Sequence, residues 1–434
     1  MILQFKVNNF RSIKDTAILN MRTDKNKRTP NSFAVDGQHL LKSCVIYGPN
    51  ASGKSNVLKA MAFMRELVLN TSKVTQSTDA LPHAPFRLNT CTENASSHFE
   101  IIFLHNNLKY RYGFEMDSAV VYAEWLFVTG DTGRESRLFE RDIDDKVPYI
   151  NLQKFKEGRH VKVSDNQLLL WRCDQQGGEI SHSILDWFQH FNFIDGLENK
   201  NYFNFALRQM QNNMIKPELL DLLHKADLGI DELTIEEQEL SLEQLDRVAI
   251  PLAIKERLLQ EQEQGQLKSI EVKARHKKFD IDNNHIGIET FQFEQDESQG
   301  TQKFFTLSAP ILDTLKHGKV LLIDELDSSL HPKLTEAFIR LFHNPEINRH
   351  NAQLIFTTHD TNLLSIPKLF DRDQIWFTEK DRYGSTELYS LLEFRKNSKG
   401  KDVRVTDNLE KHYLQGLFGA TPYINMDAPY AGES

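Results

Sequence analysis

An eight-residue segment of the chain has the composition and spacing of a phosphate-binding loop. Gly48-Pro49-Asn50-Ala51-Ser52-Gly53-Lys54-Ser55, followed by Asn56, comes after an apolar run at 41–47 and opens a segment with helical apolar spacing. Glycines let the backbone curl so that N–H groups point at phosphate oxygens, and a helix N-terminus adds partial positive charge. Lys54 is expected to neutralise the β- and γ-phosphates and the Ser55 hydroxyl to ligate Mg²⁺. The segment therefore predicts binding of a nucleoside triphosphate.

Two later apolar runs end in polar residues that suit the same chemistry. Residues 320–323 precede Asp324 and Glu325, and the run 353–356 leads through two threonines to His359. Ligands of open α/β sheets bind at the carboxyl ends of the strands. We expect Asp324 to hold the Mg²⁺ shell through water, Glu325 to polarise the attacking water and His359 to sense the γ-phosphate. The combination predicts hydrolysis as well as binding.

A fourth segment, Ser298-Gln-Gly300-Thr301, stands directly before an apolar helix at 304–315. Ser298 suits a helix N-cap, and Gly300 allows a close approach of the backbone to an anion. Taken alone this is an ordinary helix start. Its place about 20 residues before Asp324 is what makes it informative.

The set of motifs resembles the heads of ATP-binding-cassette (ABC) ATPases, in the compact branch near Rad50, RecF and the overcoming-lysogenization-defect ATPases. Asn9-Phe10-Arg11-Ser12 near the start and Tyr413-Leu-Gln-Gly416 near the end extend the resemblance to both ends of the chain. AAA-family ATPases of bacterial defence islands, including those of PARIS-type and abortive-infection anti-phage systems, are the most similar group. The resemblance implies that Arg11 and Ser12 approach the nucleotide, and that Ser298, Gly300 and Thr301 form the signature loop.

In such heads the signature loop reaches across a dimer to the partner's γ-phosphate. The resemblance therefore implies a homodimer, or a larger assembly of head-to-tail dimers, that ATP closes and hydrolysis releases. About 75 residues follow His359, too few for the nuclease domain that some relatives carry. We therefore expect an ATPase that controls a separately encoded effector, a nuclease or a toxin, with a phage-derived trigger as a further expected partner.

Charge and composition restrict the other classes of function. The chain has 434 residues, of which 40% are hydrophobic, and this composition favours a folded protein. Its net charge of −9 disfavours a protein that wraps nucleic acid over its whole surface. No run of 18 apolar residues is present, so no membrane span is expected. The start lacks the apolar region of a signal peptide, and three scattered cysteines suggest buried thiols in a reducing cytoplasm. The basic segments 22–28, 273–278 and 396–401 are expected to be solvated faces.

The elements that must position these residues predict an α/β protein. The resemblance implies that this fold is an ABC-ATPase head, with mixed antiparallel and parallel sheets flanked by helices, and an inserted helical lobe. Residues 1–165 are expected to form the N-terminal half of the head, 166–266 the helical lobe and 267–434 the C-terminal half. The lobe lacks the long heptads of a Rad50-type arm, which disfavours long-range tethering of DNA.

Two other functions stay open at this point. One is a RecF- or Rad50-like DNA-binding ATPase of DNA repair, for which salt-sensitive DNA binding would be the sign. The other is a nucleotide-dependent scaffold that does not hydrolyse ATP. The glutamine that contacts the metal in such heads has no clear counterpart, although Gln76 is a candidate.

Overall fold

The structure, a computed structural model, describes residues 1–23, 29–35, 37–130, 133–144, 148–196, 200–211, 215–239, 268–394 and 408–422. In chain order the strands are β1 (Ile2–Asn8), β2 (Ala17–Asn20), β3 (Ser32–Val35), β4 (Gln38–Leu41), β5 (Ser43–Tyr47), β6 (Ser97–His105), β7 (Leu108–Met116), β8 (Val121–Thr129), β9 (Glu135–Asp142), β10 (Tyr149–Ile150), β11 (Phe191–Ile194), β12 (Glu232–Glu239), β13 (Lys268–Phe279), β14 (His285–Gln292), β15 (Val320–Ile323), β16 (Gln353–Thr357), β17 (Ile375–Lys380) and β18 (Thr386–Ser390). The α-helices are α1 (Lys54–Val68), α2 (Leu169–Gln175), α3 (Glu179–Gln189), α4 (Lys200–Gln211), α5 (Lys216–Lys225), α6 (Phe293–Asp296), α7 (Gln299–His317), α8 (Pro332–His343) and α9 (Leu409–Leu414).

The chain forms two compact units. The first comprises Met1–Leu197, Thr314–Ser328 and Thr335–Ser434, and the second comprises Glu198–Asp313 and Ser329–Leu334. These limits differ from the segments 1–165, 166–266 and 267–434. Helices α2 and α3 belong to the first unit because residues such as Trp187 and Phe188 are buried in its core.

The predicted helical lobe also contains strands. Within 166–266, the segment expected to form the helical lobe, the structure has strands β11 and β12 beside helices α2 to α5. Leu233 on β12 is fully buried in the second unit, whereas Glu232 and Glu236 on the same strand pair with cations of β13. Residues 240–267 of the predicted lobe lie outside the described residues.

One sheet of the first unit is antiparallel, with strand order β10-β9-β8-β7-β6-β1-β2. Alternating side chains of β7, including Tyr112 and Phe114, are fully buried in the core, as the alternation in the sequence predicts. Apolar side chains of α1, such as Val57 and Met61, belong to the same core. The phosphate-loop helix is therefore anchored along its apolar face.

The other large sheet of the first unit has the order β11-β15-β16-β5-β17-β18. Its strands β11, β15, β16, β5 and β17 run parallel, and β18 is antiparallel to β17. Every residue of β5, β15 and β16 is buried, which explains why these strands appear in the sequence as continuous apolar runs. The predicted fold class, mixed antiparallel and parallel sheets flanked by helices, is confirmed.

The second unit carries the antiparallel sheet β12-β13-β14. The basic residues of β13 are paired with carboxylates: Arg275 with Glu232 at 2.7 Å, Lys273 with Glu236 at 3.0 Å, Lys277 with Asp231 at 3.3 Å, and Lys278 with Glu289. The strip at 273–278, expected to be a solvated face, therefore has its lysines and arginine paired with carboxylates. Residues 24–28 and 396–401 of the other basic segments lie outside the described residues.

Two further expectations concern the membrane and the thiols. In the part of the chain that the structure describes, no helix has the length and apolarity that crossing a membrane requires. Cys44 and Cys173 are buried free thiols, as predicted, and burial raises the pKa of both. Cys91 is exposed, so the prediction is wrong for this residue, which lies in the turns that precede β6.

Candidate nucleotide site

The loop between β5 and α1 is shaped by close backbone packing. At Gly48 a Cβ atom would lie 2.4 Å from the carbonyl oxygen of Thr378, and at Gly53 it would lie 2.1 Å from Thr386 Oγ1. Gly53 also has φ +106, a conformation that side chains with a Cβ rarely adopt. Both glycines are therefore required by the structure itself, before any ligand is considered.

Thr378 of β17 and Thr386 of β18 form hydrogen bonds with this loop. Ser52 Oγ lies 2.7 Å from Thr378 Oγ1, and Thr386 Oγ1 donates to the Ser52 carbonyl at 2.8 Å. Thr386 Oγ1 is also 2.7 Å from Ser12 Oγ, which in turn accepts a hydrogen bond from the Asn56 amide at 2.7 Å. Four segments of the chain thus meet in one hydrogen-bonded chain beside the phosphate loop.

Lys54 is buried at the start of α1. Its Nζ donates to the carbonyl of Gly48 at 2.8 Å and to that of Pro49 at 3.1 Å. Burial lowers the pKa of Lys54 to about 8, and the carboxylates of Glu325 and Asp324 act in the opposite direction. A triphosphate on the loop would offer the ammonium group stronger acceptors than two carbonyl oxygens.

The acidic pair follows β15 directly. Asp324 is buried, and its Oδ1 accepts a hydrogen bond from Thr357 Oγ1 at 2.6 Å. The same hydroxyl accepts the backbone N–H of Glu325 at 2.8 Å. Glu325 has φ +51, a left-handed conformation that is uncommon for a residue with a side chain. One threonine at the end of β16 therefore fixes both acidic residues.

His359 lies two residues beyond the end of β16. Its backbone N–H points to both carboxylate oxygens of Asp327, at 3.2 and 3.3 Å. Partial burial and the charge of Lys54 lower the pKa of the imidazole, against the opposing effect of Asp327. Asp327 thus links the loop after β15 to the loop after β16.

These segments meet in one cavity of about 470 Å³ at the carboxyl edge of the parallel sheet. It is lined by Asn50, Ala51, Ser52, Gly53, Lys54, Ser55, Asn56, Glu325, His359 and Lys380. Gly48 and Pro49 face a neighbouring cavity between the phosphate loop and α9. The structure therefore brings together the loop, Glu325 and His359, three parts that the sequence places far apart.

The donor set at this edge suits a nucleotide with Mg²⁺. The hydroxyl of Ser55 and the carboxylate of Asp324 are oxygen donors, the kind that Mg²⁺ prefers. No group of three or more His, Cys, Asp or Glu side chains that could hold a metal occurs among the described residues. Since Mg²⁺ is commonly held by one or two carboxylates together with substrate phosphates, the residues present fit Mg²⁺ bound with a nucleotide.

Other predicted residues lie elsewhere. Arg11 and Ser12 line a second cavity that borders the first. Ser298, Gly300 and Thr301 belong to the second compact unit, where Ser298 Oγ accepts the Thr301 backbone N–H at 3.1 Å, as a helix N-cap does.

Within that unit, a Cβ at Gly300 would lie 2.9 Å from the Ser329 carbonyl oxygen. The candidate glutamine Gln76 is exposed in the segment after α1 and does not line the 470 Å³ cavity.

The sequence analysis assigned no role to Thr357, Thr378, Asp327, Thr386 or Lys380. For Thr357 a signal exists: the register pairs Ile323 with Phe356, which sets the next residues, Asp324 and Thr357, side by side. That register follows from the strand order, which the sequence does not show.

Comparisons with known proteins give two similar solved structures and one matching family. Two solved structures, titled as the recombination mediator protein RecF with ATPrS and RecF with ATP in the RecFOR pathway, are each 13% identical to this chain. They have TM-scores of 0.30 and 0.33, and the matches cover 89% of this chain and 98% and 97% of the other chains. The search of curated proteins gives no significant match. Residues 44–365 match the family described as "AAA domain, putative AbiEii toxin, Type IV TA system", a stretch that holds the phosphate loop, the acidic pair and His359, and the chain belongs to this family.

Proposed function

We propose that the protein is an Mg²⁺-dependent ATPase of the ABC type that works as a molecular switch. The observation that carries the proposal is the 470 Å³ cavity, in which Lys54, Glu325 and His359 converge from three separate loops. A phosphate-binding loop alone would support nucleotide binding. A carboxylate and an imidazole in the same cavity support hydrolysis.

Each residue has a separate task in this proposal. Lys54 turns from the loop carbonyls to the β- and γ-phosphates, and the backbone N–H groups of the loop hold the remaining phosphate oxygens. Ser55 and Asp324 hold Mg²⁺, which neutralises charge on the phosphates. Glu325 orients the attacking water, and His359 contacts the γ-phosphate and reports its loss.

The switch is a head-to-tail homodimer. Each copy presents Ser298, Gly300 and Thr301 at the N-terminal end of α7 to the γ-phosphate held by the other copy. Support comes from the N-cap geometry of Ser298 and from the resemblance to ABC heads, whose signature loops act across a dimer. The γ-phosphate then favours the closed dimer, and its hydrolysis favours separation.

The switch controls a separately encoded effector, a nuclease or toxin, in an anti-phage system of the PARIS or abortive-infection kind, with a phage product as the trigger. The family description, which names a toxin and a toxin–antitoxin system, supports this assignment. A DNA-repair role of the RecF kind has less support, because binding of DNA phosphates needs free cations. The lysines and the arginine of the segment 273–278 are each paired with a carboxylate.

Two variants test the enzyme. Lys54→Ala should lose ATP binding, whereas Glu325→Gln should keep ATP binding, lose phosphate release and accumulate as a dimer with ATP and Mg²⁺. Light scattering on a sizing column measures the dimer, and phosphate release measures turnover. Wild-type turnover retained by Glu325→Gln would contradict the hydrolytic role and favour the scaffold alternative.

The dimer and the partner need separate tests. Gly300→Asp in the Glu325→Gln background should keep ATP binding but remain monomeric, since a carboxylate would face the γ-phosphate. Co-purification with the product of the neighbouring gene, with and without ATP, tests effector control. Salt-dependent binding of a DNA duplex in place of a protein partner would favour the repair function.

A further inference from the structure

Strand β14 (His285–Gln292) forms an open edge of the three-stranded sheet in the second unit. Among the strands that the structure describes, it pairs with β13 alone. Alternate N–H and C=O groups of an edge strand point away from the sheet, where they can pair with a strand of another chain. The sequence analysis assigned no role to this segment.

The other edges of the three larger sheets are short or charged. At the edges of the two large sheets, β10 has two residues, β2 and β11 have four each, and β18 has five. The opposite edge of the small sheet, β12, is eight residues long but carries the acidic residues Glu232 and Glu236. Strand β14 is also eight residues long, contains no proline or lysine, and has one acidic residue, Glu289. Short or charged edges resist pairing with other chains, and β14 lacks this protection.

Apolar side chains of β14 are exposed. Ile286, Ile288 and Phe291 are 58%, 45% and 37% exposed, and Phe279 at the adjoining end of β13 is 53% exposed. Single exposed apolar residues scattered over a protein are ordinary. Several on one edge strand indicate a surface that another protein chain covers.

Strand β14 is complementary to itself when two copies pair antiparallel around a two-fold axis. The axis must pass at a residue that lies opposite its own copy, because opposite residues of an antiparallel pair share one face. With the axis at Ile288, two isoleucines lie opposite each other and Gly287 lies opposite Glu289, in the regular part of the β13–β14 ladder. With the axis at Glu289 two carboxylates would face each other, and at Thr290 the ring of Phe291 would face a carboxylate. The register centred on Ile288 is therefore favoured.

The charges beside β14 favour the same register. Gly287 lies opposite Lys278 on β13, and a Cβ at Gly287 would have no atom within 4 Å. The space over this glycine has room for the Glu289 side chain of a second copy. Lys278, which pairs with Glu289 of its own chain, lies next to that space. Two lysines and two glutamates would then alternate across the two-fold axis.

We infer that β14 pairs with β14 of a second copy of this chain, which joins two three-stranded sheets into one continuous antiparallel sheet. The pairing gives partners to the outward N–H and C=O groups and covers Ile288. It uses neither the phosphate loop nor the segment 298–301, so it goes beyond the ATP-closed dimer and needs no nucleotide. Since each head-to-tail dimer carries two β14 strands, the same contact joins such dimers into a larger assembly.

The contact is small, so its test needs concentrated protein. An interface of one strand from each copy falls below the size of stable complexes, and we expect a Kd of roughly 10–100 μM, above the concentrations on a sizing column. Sedimentation equilibrium on the full chain without nucleotide, from about 1 to about 300 μM, should show monomer passing to dimer. Ile288→Lys should weaken the dimer roughly ten-fold or more, because two ammonium groups would lie opposite each other.

A pair of opposite charges makes the test specific for the register. Ile288→Glu should also weaken the dimer, whereas an equimolar mixture of Ile288→Glu and Ile288→Lys should associate, since unlike charges then lie opposite each other. The matched control is Ile281→Lys, the same substitution at a 98% exposed residue in the turn before β14, and it should associate like the wild type. Thermal melts should show that the variants at residue 288 fold, because its side chain is half-exposed.

Wild-type protein that stays monomeric at the highest concentration, an Ile288→Lys dimer of wild-type affinity, or a mixture that stays monomeric would each overturn the inference. Loss of the neighbouring gene product from Ile288→Lys, with self-association unchanged, would assign β14 to that partner instead. The proposed function is tested apart from this contact. Glu325→Gln that forms no ATP-dependent dimer, while the nucleotide-free dimer through β14 persists, would contradict the head-to-tail switch alone.

Discussion

The hydroxyl of Thr357 offers a sharp test of how the acidic pair is positioned. It is fully buried, donates to Asp324 Oδ1 and accepts the backbone N–H of Glu325. Thr357→Val keeps the shape of the side chain and removes the hydroxyl. We expect the Asp324 carboxylate to move toward other donors, and Glu325 to leave its left-handed conformation more readily.

The magnitude follows from the two hydrogen bonds. A bond to a charged group contributes about 1.5–3 kcal/mol and a neutral one about 0.5–1.5 kcal/mol, so the pair contributes roughly 2–4.5 kcal/mol. If about 2 kcal/mol of this is lost from the transition state, kcat falls roughly 30-fold. The phosphate loop is untouched, so binding of ATP without Mg²⁺ should stay within two-fold, roughly the limit of a 0.4 kcal/mol change.

The assay is steady-state ATP hydrolysis over a Mg²⁺ titration, with calorimetry for ATP binding in EDTA. Thr357→Ser keeps the hydroxyl and is the matched control, with activity expected near wild type. A valine variant with wild-type kcat would show that the hydroxyl does not position the pair. A valine variant that loses metal-free ATP binding would show a wider structural role.

Three further predictions concern other residues. Burial lowers the pKa of Lys54 to about 8. ATP affinity should therefore be constant below pH 7, and above about pH 8 it should weaken toward ten-fold per pH unit as the ammonium group loses its proton. In a binding titration, Lys54→Arg should remove this pH dependence. Gly53→Ala places a Cβ 2.1 Å from Thr386 Oγ1 at a residue with φ +106, so thermal melts should show that the free energy of unfolding falls by roughly 1–3 kcal/mol. The control Gly177→Ala, at φ +82 with no atom within 4 Å of the new Cβ, should lower the free energy of unfolding by less. Burial lowers the pKa of His343 to about 3, so below pH 6.5 the imidazole takes up a proton in the unfolded state before it does in the folded state. The free energy of unfolding should therefore fall by about 1.4 kcal/mol per pH unit as the pH drops below 6.5. Denaturant titrations at pH 7 and pH 5 should show a smaller fall for His343→Gln than for the wild type.

The parts of the fold set by local pattern were predictable. The apolar run before Gly48 is β5, and the spacing of Val57, Leu58 and Met61 gives α1, whose apolar face is buried in the core. The carboxyl ends of β15 and β16 carry Asp324 and His359 because their apolar runs are strands buried on both faces. These features depend on residues that are close to one another in the sequence, so one sequence is enough to predict them.

The parts set by distant pairing were not predictable. Strand β12 carries Glu232 and Glu236, residues more common in helices than in strands. On β13, Arg275 lies opposite Glu232, and Lys273, opposite Thr234, pairs with Glu236 diagonally. The alternation of Leu233 and Ile235 with those glutamates was the available signal. Thr386 could not be found by any local pattern, since its contact with Ser12 spans 374 positions.

The contact between Ser12 and Thr386 affects when the phosphate loop can form during synthesis and folding. Thr386 forms hydrogen bonds with both Ser12 and the Ser52 carbonyl, so this support of the loop exists only once residues 12 and 386 have come together. During synthesis every residue from 12 to 386 must therefore have left the ribosome before the loop can bind ATP in this form. Ligand capture then adds about 2.7 kcal/mol to folding at a hundred-fold excess over Kd. ATP binding would thus stabilise only molecules in which both segments have been made, and chains that end before Thr386 would lack this stabilisation.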